Sequence, residues 1–356
     1  MSASHQRSIS EPSYRILGLE SSCDETSAAV VENGKLILSN VVASQATLHA
    51  QFGGVFPEVA SRQHLLAFPW VIEQALKEAH LDLANVDAIA VTRGPGLPGS
   101  LVVGVNFAKG LAMIGGKPLI GVHHLEAHLY SIELSGDGGT GSQMSFPAIG
   151  LIVSGGHTEL VLIQDHLRYT PLGATLDDAA GEAFDKVARL LNLPYPGGPS
   201  IQAVSSNGNP QAFSFPRAWL EGTWNFSFSG LKTAVLREVK KLQRYRSVLP
   251  VENLAASFQA AVVDILVGKT LQAAKQFEGR CILVVGGVSA NRALREAFLQ
   301  QSELPVLIPP PHLCTDNAAM TAAIGYYRYA AGQRDELDMD VLANWPLSAL
   351  SNPLDV

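Results

Sequence analysis

The chain has 356 residues, 47% hydrophobic and 16% charged, with a net charge of −7. So much apolar material excludes an intrinsically disordered chain, the length calls for two domains or lobes with a cleft between them, and the negative charge excludes a protein that coats nucleic acid by charge alone. Three scattered cysteines, Cys23, Cys281 and Cys314, exclude a disulfide framework and a CxxC metal site, and fit a reducing compartment.

Residues 1–13 are polar and read as a disordered tail, with neither a secretory signal nor a transit peptide. No apolar run reaches the roughly 18 to 20 residues of a bilayer span, so no membrane association is expected. Tyr14–Glu20 is an apolar strand that enters the polar turn Ser21–Thr26, and Ser27–Val31 and Lys35–Leu38 follow as strands around an Asn33-Gly34 hairpin turn. A helix over Pro57–His80, a strand over Val86–Thr92, a helix over Gly99–Ile114 and a strand over Pro118–Val122 continue in α/β alternation.

The opening pattern then returns. Strand Pro147–Val153, turn Ser154–Thr158 and strand Glu159–Ile163 match the first hairpin, aligning Gly18 with Gly150, Ser22 with Ser154 and Thr26 with Thr158. A helix near Asp177–Leu191, a Pro-Gly turn at Pro194–Pro199 and an aromatic and polar stretch to Gly230 come next. Helices Leu231–Arg246 and Val251–Gln276, strand Cys281–Val285, a helix from about Ala290 and a last helix Asp316–Ala331 complete the chain. The fold class is therefore α/β, with two duplicated lobes and a central cleft in the manner of the actin-like ATPases. The N-terminal lobe spans 14–146 and is completed by a C-terminal helix, 316–345; the C-terminal lobe spans 147–315.

The sharpest local feature is His123-His124-Leu125-Glu126-Ala127-His128. On a helix, His124 and His128 stack one turn apart and can reach one metal ion, while Leu125, Leu129 and Ile132 make the adjoining core stripe. Satisfied core histidines are the alternative. A zinc-protease reading fails on geometry, because Glu126 lies roughly 200° around the helix from His124 instead of directly after it. A third ligand must come from elsewhere, and Cys314-Thr315-Asp316-Asn317 offers one, although Thr315 or Asp316 could instead cap the last helix.

Ser154-Gly155-Gly156-His157-Thr158 leaves a buried strand with glycines that let backbone N–H groups approach a phosphate or carboxylate, or it is an ordinary hairpin turn. Gly286-Gly287-Val288-Ser289-Ala290-Asn291 runs from strand to helix, the place where nucleotides meet helix N-termini, or is a plain turn. Gly94-Pro95-Gly96-Leu97-Pro98-Gly99 matches GxGxxG only literally: two prolines stiffen it and no acid follows about 20 residues on. Lys232, Arg237, Lys240, Lys241, Arg244 and Arg246 form a basic helix, either a solvated face or a local tRNA-backbone contact.

Eight motifs in order resemble the bacterial TsaD (Gcp) family of tRNA N6-adenosine threonylcarbamoyltransferases. Besides the histidine, Ser-Gly-Gly and Gly-Gly motifs above they are Gly18–Thr26, Asp177–Lys186, Tyr195–Pro199, Phe226–Lys232 and Thr315–Asn317, and the likeness runs from about Arg15 to Leu350. The resemblance implies an ASKHA fold and one divalent metal per subunit, Fe2+ with Zn2+ as the alternative, held by His124, His128 and Asp316. It implies that the donor, threonylcarbamoyl-AMP, lies across Ile152, Val153, Ser154, Gly155, Gly156, Asp185, Gly198 and Asn291, with Asp24 and Glu25 as catalytic carboxylates. The acceptor it implies is adenosine 37 of tRNAs reading codons that begin with A, modified to t6A with release of AMP. Implied partners are a TsaB-like paralogue, a TsaE-like ATPase and a threonylcarbamoyl-AMP synthase, in the cytoplasm; a homodimer is left open. Gln202 departs from the family, many of whose members carry an acid there that could touch the ligand. The rival readings are a metal-dependent peptidase, a noncatalytic scaffold of the same fold, and a sugar kinase or chaperone-type ATPase.

Overall fold

The computed structural model describes residues 13–136, 141–245 and 248–350. The tail up to residue 12 and Arg246 of the basic segment lie outside the described residues. β1 (Arg15–Glu20), β2 (Glu25–Glu32) and β3 (Leu36–Ser44) form an antiparallel meander. Asn33 and Gly34 turn its second hairpin at φ 52° and 70°, the left-handed pair at the centre of a turn closed by the Lys35 N–H on the Glu32 carbonyl at 3.1 Å. β3 runs on to Ser44, past the Leu38 that ends its apolar run, because as an edge strand it is free to carry exposed polar positions.

Short α1 (Ala46–Ala50) and long α2 (Pro57–Glu78) lead to β4 (Ala88–Gly94), α3 (Pro98–Gly115) and β5 (Leu119–His123). The first sheet has the order β3-β2-β1-β4-β5, with β1, β4 and β5 parallel. α4 (His124–Tyr130) follows β5 without a loop.

β6 (Ala148–Val153), β7 (Thr158–Asp165) and β8 (Arg168–Ala174) repeat the meander. They are followed by α5 (Ala180–Leu190), α6 (Gly197–Ser205), α7 (Ser229–Tyr245), α8 (Val251–Gln276), β9 (Cys281–Val285), α9 (Arg292–Gln301) and β10 (Val306–Leu307). The second sheet has the order β10-β9-β6-β7-β8, the same arrangement as the first when β6 is laid on β1 and β9 on β4. The internal repeat is thus a repeat of topology.

Local chemistry explains where the elements differ from the sequence pattern. α5 begins at Ala180 instead of Asp177 because the two aspartates are used elsewhere. Asp177 accepts hydrogen bonds from the Ser227 and Ser229 hydroxyls and the Phe228 and Ser229 N–H groups, and Asp178 pairs with Lys186 and Lys232. α6 stands where a Pro-Gly turn was expected, since Gly197, Gly198 and Pro199 fill its first turn, where no N–H needs an intrahelical acceptor. α3 and α8 are long and apolar enough by length and composition to cross a membrane, which corrects the expectation that no segment reaches that length. Uninterrupted runs hid this, because each helix tolerates a few polar residues. α8 is the central core helix of the second sheet's layer, with 78% of its apolar window buried, against 33% for α3.

α10 (Ala318–Ala330) returns to the first sheet; it corrects the expected helix over 316–345, for it stops where the left-handed Gly332 (φ 82°) follows and the chain runs on without α-helix among the described residues. A Cβ on Gly18 would sit 2.3 Å from the Ala318 carbonyl oxygen, and one on Gly325 would sit 2.5 Å from the Ala90 Cβ, so strand and helix touch through backbone. One buried apolar cluster draws on β1, β2, β4 and β5 of the first sheet, β6, β7 and β9 of the second, and α4 and α10 between them. The two lobes are joined there, and the candidate site lies at that junction.

Candidate metal centre and cleft

β5 delivers its last residue, His123, as the N-cap of α4. His123 Nδ1 accepts from the Leu125 N–H at 3.2 Å while its Nε2 lies 2.9 Å from the Trp345 carbonyl, and burial pushes its pKa down to about 3. The next residue, His124, and His128 one turn later bring their rings to 4.8 Å at an interplanar angle of 78°. Leu125 and Leu129 turn into the core beside them. Glu126 points away and pairs with Arg328 at 2.6 Å, so it does not serve as a base on the histidine face.

Asp316 arrives from the other end of the chain. Its Oδ1 lies 3.1 Å from His128 Nε2 and 3.7 Å from His124 Nε2. The helix cap is Asn317, whose side chain accepts from the Met320 N–H; this corrects the alternative that Thr315 or Asp316 caps α10, and leaves Asp316 available. Cys314 is also ruled out as the ligand of this quartet, since its sulfur is buried against Arg295 at 3.0 Å.

One ligand atom from each of His124, His128 and Asp316 lies within 4.8 Å of the other two. A four-coordinate ion with bonds of about 2.0–2.2 Å sets its ligands roughly 3.3–3.6 Å apart, so the separations suit one divalent ion with a position left open. Among the described residues His128 Nδ1 is buried without a hydrogen-bond partner, so its ring orientation is held by what lies on the Asp316 side. Burial opposes charge on His124, yet the Asp316 and Glu20 carboxylates outweigh it and raise its pKa to about 9. Burial likewise opposes charge on Asp316, but His124 and His128 hold its carboxyl well below the usual range. His157 stands beside them with its ring 6.5 Å from that of His124; burial and the two other histidines push its pKa down to about 4.

His124, His157 and Asp316 line a cleft of about 640 Å³, with His128 buried behind them. The first sheet's side contributes Ser22–Glu25 and the loops Gly53–Val55 and Pro95–Leu97; the second contributes Ser154–His157, Asp185, Lys186, Arg189 and Tyr195. A connected pocket of about 430 Å³ is lined by Asp24, Glu25, Asp185, Gly198, Gln202 and Asn291 among others. A Cβ on Gly155, Gly156 or Gly198 would meet nothing within 4 Å, so each presents bare backbone to open space. Asp185 accepts from the Gly197 N–H at 2.7 Å and fixes the start of α6.

Not every expected residue faces this space. Ile152 and Val153 are fully buried with their side chains in the core, and only the strand end after them reaches the cleft. Asn291 caps α9 through the Leu294 N–H and donates to Gln259, while Gln202 Oε1 accepts from the Arg292 N–H at 2.7 Å. Glu25 accepts from the Ser44 hydroxyl at 3.1 Å; burial, then Asp24 and Asp316, raise its pKa to about 9. Sequence reasoning missed Glu20, Lys186, Arg189, Tyr195 and both cleft loops, and gave His157 no part of its own. Pro95–Leu97 lay within the rejected GxGxxG match, and Gly53-Gly54 was the one local signal of the other loop. Arg189 crosses the cleft to donate to the Gly53 carbonyl at 2.6 Å. In the basic helix α7, Lys232 and Lys241 are paired with Asp178 and Glu238, and Arg237, Lys240 and Arg244 are exposed.

Comparison with known proteins gives a consistent picture. A family model described as TsaD: tRNA N6-adenosine threonylcarbamoyltransferase matches residues 36–323. A protein of that name from Thermomicrobium roseum is 51% identical over 353 residues, covering 93% of this chain and 96% of its own length. Its namesake in Bacillus subtilis is 51% identical over 330 residues, covering 91% and 93%. Among solved structures, T. kodakarensis HypF superposes with a TM-score of 0.61 at 14% identity over 90% of this chain and 48% of that one. Component A of the Acidaminococcus fermentans (R)-2-hydroxyglutaryl-CoA dehydratase superposes at 0.51 and 13% identity, covering 89% and 99%. These two share the fold alone; together with the family match they point to the ASKHA-like superfamily.

Proposed function

Because the chain belongs to the TsaD family, and so is an acyltransferase of the t6A pathway of tRNA modification, we propose that it moves the threonylcarbamoyl group of threonylcarbamoyl-AMP onto N6 of adenosine 37 in tRNAs reading codons that begin with A. The observation that carries this reading is the convergence of His124, His128 and Asp316, the first and last of which line the cleft with Asp24, Glu25 and the Ser154–Gly156 turn. His124, His128 and Asp316 would hold one divalent ion, Fe2+ with Zn2+ as the alternative; when bound it supplies a Lewis acid for a carbonyl oxygen that gains charge.

The chain's own groups divide the remaining work. Gly155 and Gly156 offer backbone N–H groups to the donor's phosphate, and Asp185, Gly198 and Asn291 frame its nucleoside. The strand residues Ile152 and Val153 set the height of that turn from within the core. The N6 nitrogen bonds to the carbamoyl carbon, the carbon–oxygen bond to the phosphate breaks, and AMP departs with the electron pair. Asp24 accepts the proton lost from N6, and Glu25, which keeps its own proton to about pH 9, donates a hydrogen bond beside it.

We assign residues 14–146 with 316–345 to one lobe and 147–315 to the other, so that the reaction occurs between them. In this reading the protein is cytoplasmic and works with a TsaB-like paralogue and a TsaE-like ATPase, on donor made by a threonylcarbamoyl-AMP synthase. The test is transfer of labelled threonylcarbamoyl from its adenylate to unmodified tRNA with those partners supplied, comparing the intact chain with His124→Ala. Transfer by the intact chain and loss in the variant support the proposal; equal transfer by both removes the metal centre from the mechanism.

A further inference from the structure

The turn that joins β1 to β2 has two ends with different surroundings. Asp24 and Glu25 face the cleft, whereas Glu20, at the other end, is 0% exposed. A carboxylate removed from water must be matched by hydrogen-bond donors or opposite charge. One Glu20 oxygen takes the Ser22 N–H at 2.6 Å; the other takes the Thr92 hydroxyl, lies 3.3 Å from the Thr321 hydroxyl and 3.5 Å from His124 Nδ1. Strand β4, helix α10, the turn itself and the metal helix α4 therefore all close on this one side chain.

Ser22 is equally fixed. Its N–H is bound to Glu20, its carbonyl accepts from the Leu97 N–H at 2.8 Å, and its hydroxyl lies 3.1 Å from His124 Nδ1. A Cβ on Gly96 would come within 2.6 Å of the same carbonyl, so the loop before α3 presses the turn into place. Both neighbours of His124 Nδ1 are thus held by the fold, and both lie on the side of the ring opposite Asp316, which Nε2 faces.

We propose that Glu20 and Ser22 are positioning residues for the metal centre. By accepting a hydrogen bond from the His124 Nδ1–H they fix the tautomer in which Nε2 carries the lone pair, aim that nitrogen at the ion, and add a second buried carboxylate that offsets the ion's charge. Partners of this kind tune an ion's affinity through the ligand they orient. Two neutral imidazoles and one carboxylate leave a divalent ion with surplus positive charge in a buried place, and the Glu20 carboxylate stands one ring away from it. The inference rests on the metal reading of the preceding section, not on the acyl transfer.

The test is metal affinity of the full chain, read without tRNA or donor, with Co2+ and Zn2+ in competition with a chromogenic chelator. Glu20→Gln keeps the volume and an oxygen for the Ser22 N–H; it is expected to weaken the dissociation constant about 10- to 100-fold and to shift the visible Co2+ spectrum. Thr321→Val removes a neighbour of the same carboxylate without touching His124, and its dissociation constant should stay within about twofold of the parent, because it acts on stability alone. Ser22→Ala should weaken binding in the same direction as Glu20→Gln, and it decides the matter if Glu20→Gln does not fold. Lower thermal stability in the metal-free variants with unchanged dissociation constants and an unchanged Co2+ spectrum would make Glu20 a purely structural clamp and overturn the proposal. If the intact chain binds neither ion, the metal reading itself fails, an outcome distinct from equal binding by parent and variants.

Discussion

His128 Nε2 and Asp316 Oδ1 lie 3.1 Å apart although 188 residues separate them in the chain. Asp316→Asn preserves the shape of that contact and removes its charge. Metal affinity should fall by about 100-fold or more, since outer partners alone change it 10- to 100-fold and a ligand does more. Chelator competition measures it; an affinity within threefold of the parent would show that the carboxylate is only a hydrogen-bond acceptor.

Metal binding should also depend on pH. His124 in the metal-free protein holds a proton up to about pH 9, and an ion at Nε2 must displace it. Apparent affinity should therefore rise close to tenfold per pH unit between about pH 7 and 9 and level off above that. The same shift sets a stability trend without metal: the folded pKa exceeds the unfolded value of 6.5, so the contribution is complete below pH 6.5 and is lost as pH rises through about 9. Isothermal titration in buffers of different ionisation heat counts the released proton, and release of none at pH 7 would contradict the assignment.

The two cleft carboxylates should respond differently to neutralisation. Glu25 is held protonated to about pH 9 by burial, Asp24 and Asp316, so Glu25→Gln should leave single-turnover transfer at pH 7 within about threefold of the parent. Asp24→Asn should slow it by about 10²- to 10⁴-fold, the usual weight of a general base. Rapid-quench kinetics of both variants decides; a reversed order would exchange their parts, and unchanged rates in both would remove the pair from the chemistry.

The paired glycines of the repeat predict unequal costs. A Cβ on Gly18 would meet backbone, 2.3 Å from the Ala318 oxygen and 2.7 Å from the Ala322 nitrogen, whereas one on Gly150 would meet the side-chain methyls of Leu129 and Val161 at 2.9 Å. Gly18→Ala should cost about 3 kcal/mol or more and Gly150→Ala about 1 kcal/mol, because side chains can rotate away and a packed helix cannot. Urea unfolding of the two variants compares them directly.

How far the site could be read in advance follows from how local each signal is. His124 and His128 announce themselves because both lie on one helix at a spacing that stacks their rings. Asp316 does not, since from sequence a helix cap competes for it, and only Asn317's bond to the Met320 N–H removes that competitor. β10, with two residues, has no period to detect, and α6 hides behind a glycine pair and a proline. Gly53–Val55 and Pro95–Leu97 carry no pattern that says what stands opposite them across the cleft. Glu20 looked like the polar end of a strand; its meaning depends on Thr92, Thr321 and His124, which the chain reaches much later.

The placement of α10 has a consequence for biosynthesis. Both histidines leave the ribosome well before Asp316, and the face of the first sheet that α10 covers stays open until α10 itself has emerged. A nascent chain that has not reached Asp316 can hold two imidazoles ready but cannot close the third contact of the cluster, so three-point loading must wait for that residue to emerge. Fragments arrested before residue 316 would lack both the closing helix and the carboxylate, and would keep only the two imidazoles of the cluster.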